Sequence, residues 1–350
     1  MKNTDNSSMK YDFGIRVDLG GKTGSGHFYR CLSIATELKN LGKKVIFLVK
    51  SEKDFLAHIG DLNFSYTVLS GKTDDEEINN CKKIISQIKN LIIDLQSKNE
   101  LYDKIFHGIC KIAIIDDLGG IKVYSDLLFN GHIVKKFHNY DLATIKTKTF
   151  LGSKYMPIRK EFLVEKDNVV VSKRPIKNIL ISFGGSDDLN LTSKLIEKFA
   201  DKKYNLTIVI GPTITNKNII KELSEKQSNI HLKNSVQNMA SLLVKQDLVI
   251  SSAGITTYEL ACLGIPTILI PINSYQYITA DEMMSNGFGI NFGFWDNDFQ
   301  RLQAIINKLD DYGKRKKMSD CGRKIVDGKG VLRVVEKLIE LDNVALFEKY

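Results

Sequence analysis

Short apolar runs alternate with amphipathic stretches from residue 11 almost to the end of the chain. Gly14-Ile-Arg-Val-Asp18 reads as a buried strand, and Phe28, Cys31, Leu32, Ala35 and Leu38 recur at the spacing of one helix face. Gly42 ends that helix and Val45–Val49 is the next strand, which makes an opening βαβ unit. Further strands are predicted over Phe64–Leu69, Leu91–Leu95, Ile112–Asp116 and Asp126–Phe129, with helical segments such as Glu76–Lys89 between them. A second series, Asn178–Phe183, Asn205–Gly211, Leu248–Ser251 and Pro266–Ile270, repeats the alternation, and Val331–Glu348 reads as a long amphipathic helix. The strands are continuous apolar runs, as parallel strands buried on both faces require. The pattern predicts an α/β protein of two doubly wound, Rossmann-like domains facing a cleft. The expected division is a loose tail over residues 1–10, an N-terminal domain over 11–165, a polar linker over 166–177 and a C-terminal domain over 178–350 that includes the last helix.

Composition narrows the function classes. The chain is 43% hydrophobic and 26% charged, an ordinary globular balance. Its net charge of +9 comes from lysines spread along the chain, with only short clusters such as Lys314–Lys317. No basic-aromatic platform or zinc-finger spacing accompanies them, so nucleic acid is not an expected partner. Contact with an anionic membrane surface stays open. No run of eighteen apolar residues occurs, so no transmembrane segment is expected. The first ten residues lack a signal peptide's apolar core. The cysteines are Cys31, Cys81, Cys110, Cys262 and Cys321, odd in number and without a C-x-x-C pair, so a reduced, cytoplasmic protein is expected.

Three glycine turns carry the candidate chemistry. The first, Gly24-Ser-Gly26-His27, follows a strand and opens a helix, where free N–H groups and the helix dipole favour an anion. His27 adds a group able to move protons near neutral pH. The turn is not a full dinucleotide fingerprint, and its plain alternative is a tight turn with a surface histidine. The second, Gly184-Gly185-Ser186-Asp187, precedes a helix near Leu191, with Ser186 and Thr192 offering hydroxyls; the alternative is a turn capped by Asp187 or Asn190. The third is the strongest. Ser252-Ala-Gly254 leads from a strand into a helix carrying Thr256 and Thr257 in its first turn, a nest suited to a diphosphate. Glu259, one turn further in, could accept two hydrogen bonds from ribose hydroxyls, or be a solvated helix carboxylate.

The third pattern, Asp247-x-x-Ile250-x-x-x-Gly254-x-Thr256-x-x-Glu259-x-x-x-x-Gly264-x-Pro266, resembles the nucleotide-diphosphate-sugar motif of GT-B-fold enzymes. The ordered set resembles, more narrowly, the UDP-2,4-diacetamido-2,4,6-trideoxy-β-L-altropyranose hydrolases of the pseudaminic acid pathway, grouped with spore-coat polysaccharide biosynthesis proteins. The segments that carry it are Arg16-x-Asp18, Gly24-Ser-Gly26-His27-x-x-Arg30-Cys31, Ile115–Leu118, Leu151-Gly-x-Lys-Tyr155-x-x-x-Arg159-x-Glu161-Phe162, Ser182–Asp187, Ser252–Pro266 and Asp327-Gly-x-Gly330-x-x-Arg333.

The resemblance implies a hydrolase in which His27 is the base, assisted by Asp18 and Arg16, and water attacks the anomeric carbon. It implies UDP in the second domain and the amino sugar against the first. Gly24, Gly26, Arg30, Tyr155, Gly184, Gly185, Ser186, Ser252, Gly254, Thr256, Thr257, Glu259 and Gln276 would contact the UDP-sugar. Backbone N–H groups would neutralise the leaving diphosphate, so neither metal nor cofactor is expected. Two segments depart from the family pattern: Asp94-Leu-Gln96 stands where Asp-x-Tyr is common, and Ser274-Tyr275-Gln276 where Glu-Asn-Gln is common. These changes leave room for a glycosyltransferase on the same scaffold; a third reading, a nucleotide-sugar-binding subunit without catalysis, is opposed by the intact His27.

Overall fold

The computed structural model describes residues 9–18, 26–50, 59, 62–71, 73–185, 187–199, 203–211, 214–234 and 236–343. Most of the expected tail, the turn residues Gly24 and Ser25, Ser186, and residues 344–350, which include the last five of the predicted terminal helix, lie outside the described residues. The chain divides into two compact units, residues 1–157 with 329–350, and residues 158–328.

The first unit contains β1 (Tyr11–Val17), α1 (Gly26–Asn40), β2 (Val45–Val49), β3 (Ser65–Val68), α2 (Asp74–Ile85), β4 (Ile88–Asp94), α3 (Asn99–Phe106), β5 (Lys111–Ile115), β6 (Lys122–Val123), β7 (Leu127–Asn130), β8 (Asp141–Leu142) and β9 (Lys148–Leu151). Seven of these strands form a parallel sheet in the order β3-β2-β1-β4-β5-β7-β9. Alternate residues of the apolar strands feed two cores: Phe13, Ile15 and Phe47 pack with Phe28 and Ile34 of α1, while Ile46, Leu91, Ile93 and Ile112 pack with Ile78 of α2 and Tyr102 of α3. The predicted helix Glu76–Lys89 ends at Ile85, because Ile88 already belongs to β4. A side chain at Gly14 on the neighbouring strand would come within 2.6 Å of Ile88, so the glycine makes room for it.

The second unit contains α4 (Lys160–Glu165), β10 (Asn178–Ser182), α5 (Leu191–Lys198), β11 (Asn205–Ile210), α6 (Lys217–Glu225), β12 (Ile230–Asn234), α7 (Met239–Leu243), β13 (Leu248–Ser251), α8 (Thr256–Leu263), β14 (Thr267–Leu269), α9 (Ser274–Ser285), β15 (Ile290–Asn291), α10 (Phe299–Leu309) and α11 (Tyr312–Ile325). Its sheet is parallel, in the order β12-β11-β10-β13-β14-β15.

Two expectations about domain limits are corrected. The terminal helix α12 (Gly330–Asn343) belongs to the first unit, where Val334, Val335 and Leu338 complete the core around α1. Its end is fixed by Asp342, which is 3% exposed and accepts hydrogen bonds from Lys43 and Asn90, both at 2.8 Å, beside Lys89 at the same distance. Amphipathicity marks a helix with one buried face but not which sheet buries it. The expected linker over 166–177 lies within the second unit, whose boundary falls at Ile158.

Candidate functional site

Open α/β sheets bind ligands at the carboxyl ends of strands, where the strand order reverses. In the first unit that point lies between β1 and β4, where Val17 is the register partner of Asp94. Asp18 leaves β1 there, Asp94 ends β4, and His27 lies in the first turn of α1. Asp18, His27, Asp94, Leu95, Gln96, Ser97 and Lys98 line a cavity of about 40 Å³, room for a water or two.

His27 lies between two carboxylates and is bonded to one of them. Its Nδ1 lies 2.7 Å from Asp94 Oδ1, and its Nε2 lies 3.9 Å from Asp117 Oδ2. Arg30 Nη2 also lies 2.9 Å from Nδ1, but it donates to Asp94 Oδ1 at the shorter distance of 2.7 Å; with an Nδ1–H donating to the same carboxylate, Nε2 is left with the lone pair. Asp94 is buried and also accepts from Arg30 Nε at 2.6 Å and Arg30 Nη2 at 2.7 Å. Burial opposes its charge, but Arg30 and His27 outweigh burial and hold the carboxyl well below the usual range. Arg30 completes the cluster by donating from Nη1 to Asp117 Oδ1 at 2.7 Å. An imidazole with one nitrogen fixed by a buried carboxylate and the other open is built to take a proton.

A second buried cluster stands behind Asp18. Arg16 pairs with Asp18 at 2.5 Å and with Glu77, and its Nε donates to Tyr102 at 3.1 Å. Tyr102 also donates to Glu77. Arg16 is fully buried and reaches the edge where His27 stands only through its pairing with Asp18. Burial alone would raise the Glu77 carboxyl, but hydrogen bonds from Tyr102 and Arg16 bring it down from 4.5 to about 2. A folded-state value below the unfolded one stabilises the protein above the unfolded carboxylate range and is lost as pH falls through the folded value. Glu77 therefore contributes about 3 kcal/mol above pH 5, fading towards pH 2. The urea midpoint of the wild type is expected to fall across that window, and Glu77→Gln to fall less; an equal acid slope in both would remove Glu77 from this role.

In the second unit the strand order reverses between β10 and β13, whose last residues Ser182 and Ser251 are register partners. The Gly184–Gly185 and Ser252–Gly254 turns therefore leave the same edge of the sheet. Gly184 has φ +82°, and a side chain at Gly211 would come within 2.3 Å of the carbonyl oxygens of Gly184 and Gly185. This close approach requires glycine at 211. Of the two readings of this turn, the one capped by Asp187 holds. The carboxylate of Asp187 accepts from the N–H groups of Leu191 at 2.8 Å and Thr192 at 2.9 Å, and Thr192 is fully buried. That end of α5 is already capped by an anion.

The α8 turn differs. Among the described residues, no acceptor takes the N–H groups of Gly254, Ile255 and Thr256, so three successive donors stand at the start of the helix. Gly254 has no positive φ, and a side chain there would meet only Gln276 Nε2 at 3.8 Å. The fold itself therefore has room for a Cβ at this position, and the glycine leaves that space open beside Gln276. Thr257 is fully buried, its hydroxyl bonded to the Ser252 carbonyl at 3.3 Å. Thr256 is partly exposed. Glu259 is 7% exposed, which corrects the solvated alternative, and accepts from Arg159 Nε at 2.8 Å. Arg159 Nη1 also lies 3.2 Å from Glu161.

Comparison with known proteins follows this division. Residues 179–329 match the glycosyltransferase family 28 C-terminal domain. The solved structure of Acinetobacter baumannii MurG superposes with a TM-score of 0.67 at 14% identity, covering 94% of this chain and 99% of that one. The chain has the GT-B fold.

Sequence relatives extend over most of the GT-B chain. The uncharacterized protein MJ1062 of Methanocaldococcus jannaschii is 33% identical over 77% of this chain, which spans 57% of that protein's length. The spore coat polysaccharide biosynthesis protein SpsG of Bacillus subtilis is 25% identical over 94% of this chain and 98% of its own. The UDP-N-acetylglucosamine–N-acetylmuramyl-(pentapeptide) pyrophosphoryl-undecaprenol N-acetylglucosamine transferase of Leuconostoc citreum is 25% identical over 84% of this chain and 89% of its own.

Of the expected site residues in the GT-B chain's first unit, Asp18, His27 and Arg30 gather at one strand edge. Gly26 opens α1 beside His27, and Gly24 lies outside the described residues. Tyr155 packs on Phe129 and Phe150, with ring centroids 6.4 and 5.4 Å away. In the second unit Gly184 and Gly185 share an edge with Ser252, Gly254, Thr256, Glu259 and Gln276, while Ser186 lies outside the described residues. Asp94 and Asp117 join these residues at the same strand edge, though neither is among the expected site residues. Both stand in segments singled out in the sequence, Asp94-Leu-Gln96 and Ile115–Leu118, and each follows an apolar strand at its carboxyl end. That position was the available signal. Among the described residues no group of three or more His, Cys, Asp or Glu could hold a metal, and no helix is long and apolar enough to cross a membrane.

Proposed function

We propose that this protein breaks the bond between the anomeric carbon and UDP in a UDP-activated acetamido sugar. The observation that carries this reading is the pairing, in one GT-B chain, of an oriented imidazole at His27 with the open N–H nest of Gly254–Thr256. The family 28 match over residues 179–329 and the UDP-N-acetylglucosamine transferase among its relatives support a UDP-sugar as donor. In this reading the nest neutralises the leaving diphosphate. Glu259, steadied by Arg159, accepts the ribose hydroxyls. His27 Nε2 takes the proton of the incoming nucleophile, and Asp94 steadies the imidazolium that forms.

Two nucleophiles fit this chemistry. Glycosyl transfer to a saccharide hydroxyl is the reading that the relatives support best. Hydrolysis is favoured by the ordered segments from Arg16 to Arg333 and by full-length similarity to the spore coat polysaccharide protein. The two are separated by incubating the protein with a panel of UDP-amino sugars and following UDP. Release that waits for a saccharide acceptor makes it a transferase, and steady release with the donor alone makes it a hydrolase. Reaction by neither route, with UDP still bound, would leave a binding subunit.

The nucleotide half has its own test. Glu259→Ala is expected to weaken UDP binding by about 1.5–3 kcal/mol, the worth of hydrogen bonds to a charged group. Arg159 keeps Glu161 as a partner in that variant. Unchanged UDP affinity by calorimetry would return Glu259 to a structural role.

A further inference from the structure

Asp117 pairs with Arg30 and stands on the Nε2 side of His27. Its Oδ1 is occupied by Arg30 Nη1 at 2.7 Å, and its Oδ2 faces His27 Nε2 at 3.9 Å. Among the described residues no hydrogen-bond donor reaches Oδ2. Burial opposes the charge on Asp117, but Arg30 and His27 outweigh it and hold the carboxyl below its usual range. It therefore faces Nε2 as a carboxylate, which only accepts hydrogen bonds. The Nε2 lone pair is also an acceptor. Two acceptors 3.9 Å apart are too far apart to bond each other and close enough to share one donor atom.

We infer that Asp117 is a second catalytic carboxylate that, with His27 Nε2, holds one nucleophilic oxygen through two O–H bonds and so selects water over an alcohol. The inference rests on the reading of His27 as the base and deepens the hydrolytic reading. An oxygen about 2.8 Å from both acceptors would see them about 90° apart, near the H–O–H angle. Water satisfies both with its two hydrogens. An alcohol has one, so its lone pair would face the Asp117 carboxylate and leave a charged acceptor unpaired. Sites with an unpaired buried polar group reject the incomplete partner strongly.

The step balances without a further reactant. The water oxygen forms its bond to the anomeric carbon, and the bond from that carbon to the UDP oxygen breaks, its electron pair leaving with UDP. One water proton passes to Nε2. The other stays on the new sugar hydroxyl, hydrogen-bonded to Asp117.

The test uses the full chain, the UDP-amino sugar that the panel selects, and water containing molar methanol. Free sugar and methyl glycoside are counted by mass spectrometry for wild type, Asp117→Ala, Asp117→Asn and His27→Asn. The wild type is expected to give free sugar almost alone. Asp117→Ala is expected to slow hydrolysis roughly 10–100-fold and to raise the ratio of methyl glycoside to free sugar about 10-fold, with UDP affinity unchanged. Asp117→Asn keeps the volume and an oxygen for Arg30, and should move the ratio in the same direction if the alanine variant does not fold. A wild-type product ratio in both variants, with turnover lost in His27→Asn, would overturn the role of Asp117 and leave His27 as base. UDP release by the wild type only in the presence of a saccharide acceptor would overturn the selection of water. Full turnover in His27→Asn would overturn the base and this inference with it.

Discussion

His27→Asn is expected to lose turnover by between about 10² and 10⁴-fold while UDP binding and the unfolding midpoint stay near wild type. The imidazole is 15% exposed and carries little of the fold, since its neighbours Arg30 and Asp94 bond each other through two contacts of 2.6 and 2.7 Å without it. Asparagine at the start of α1 costs little helix stability. The substitution therefore removes the proton acceptor and leaves its surroundings standing. Steady-state UDP release, calorimetric UDP affinity and a urea curve check the three parts. Turnover within a few-fold of wild type would remove His27 from the chemistry.

Asp94→Asn is expected to act on both activity and stability. The carboxylate fixes the Nδ1–H tautomer of His27. An amide can offer its own N–H to Nδ1, which favours the tautomer with the proton on Nε2 and blocks proton abstraction there. Loss of a carboxylate in this role costs catalysis on the order of 10⁴-fold. Asp94 is also a fully buried partner of Arg30, and removing one member of a buried ion pair costs roughly 3–5 kcal/mol. Arg30 retains Asp117, which places the expected loss at the lower end. The two effects separate in measurement: the turnover loss persists at low temperature, where the variant is folded, and the stability loss appears in the urea midpoint. A stable variant with normal turnover would contradict both roles.

Much of the fold was legible because parallel strands must be apolar on both faces. Val45–Val49 and Leu248–Ser251 were placed to the residue, and most other strands within three. The limits of the units were less legible, since Val334, Val335 and Leu338 announce a buried face without saying that residues more than 290 positions earlier will cover it. The His27 region was readable as a glycine turn at a strand end, but its charge balance was not. Arg16, Arg30, Asp94 and Asp117 all lie in or just after apolar strands or in a helix, and only the parallel register of β1, β4 and β5 brings the carboxylates to one edge. Asp187 shows the opposite error. Its turn resembles the anion nest of α8, yet the side chain folds back onto the helix N-terminus and fills it.

In the proposed reaction UDP leaves with the bridging oxygen while His27 deprotonates the nucleophile. A UDP-amino sugar carrying ¹⁸O at the bridge between the anomeric carbon and the β-phosphate tests it most directly, because the outcome is the same for water and for a saccharide acceptor. The wild type is expected to release UDP containing all of the label, and His27→Asn almost none. Label retained in the sugar would mean cleavage at phosphorus, and equal release by the His27 variant would mean another base; either result rules out anomeric C–O cleavage driven by His27.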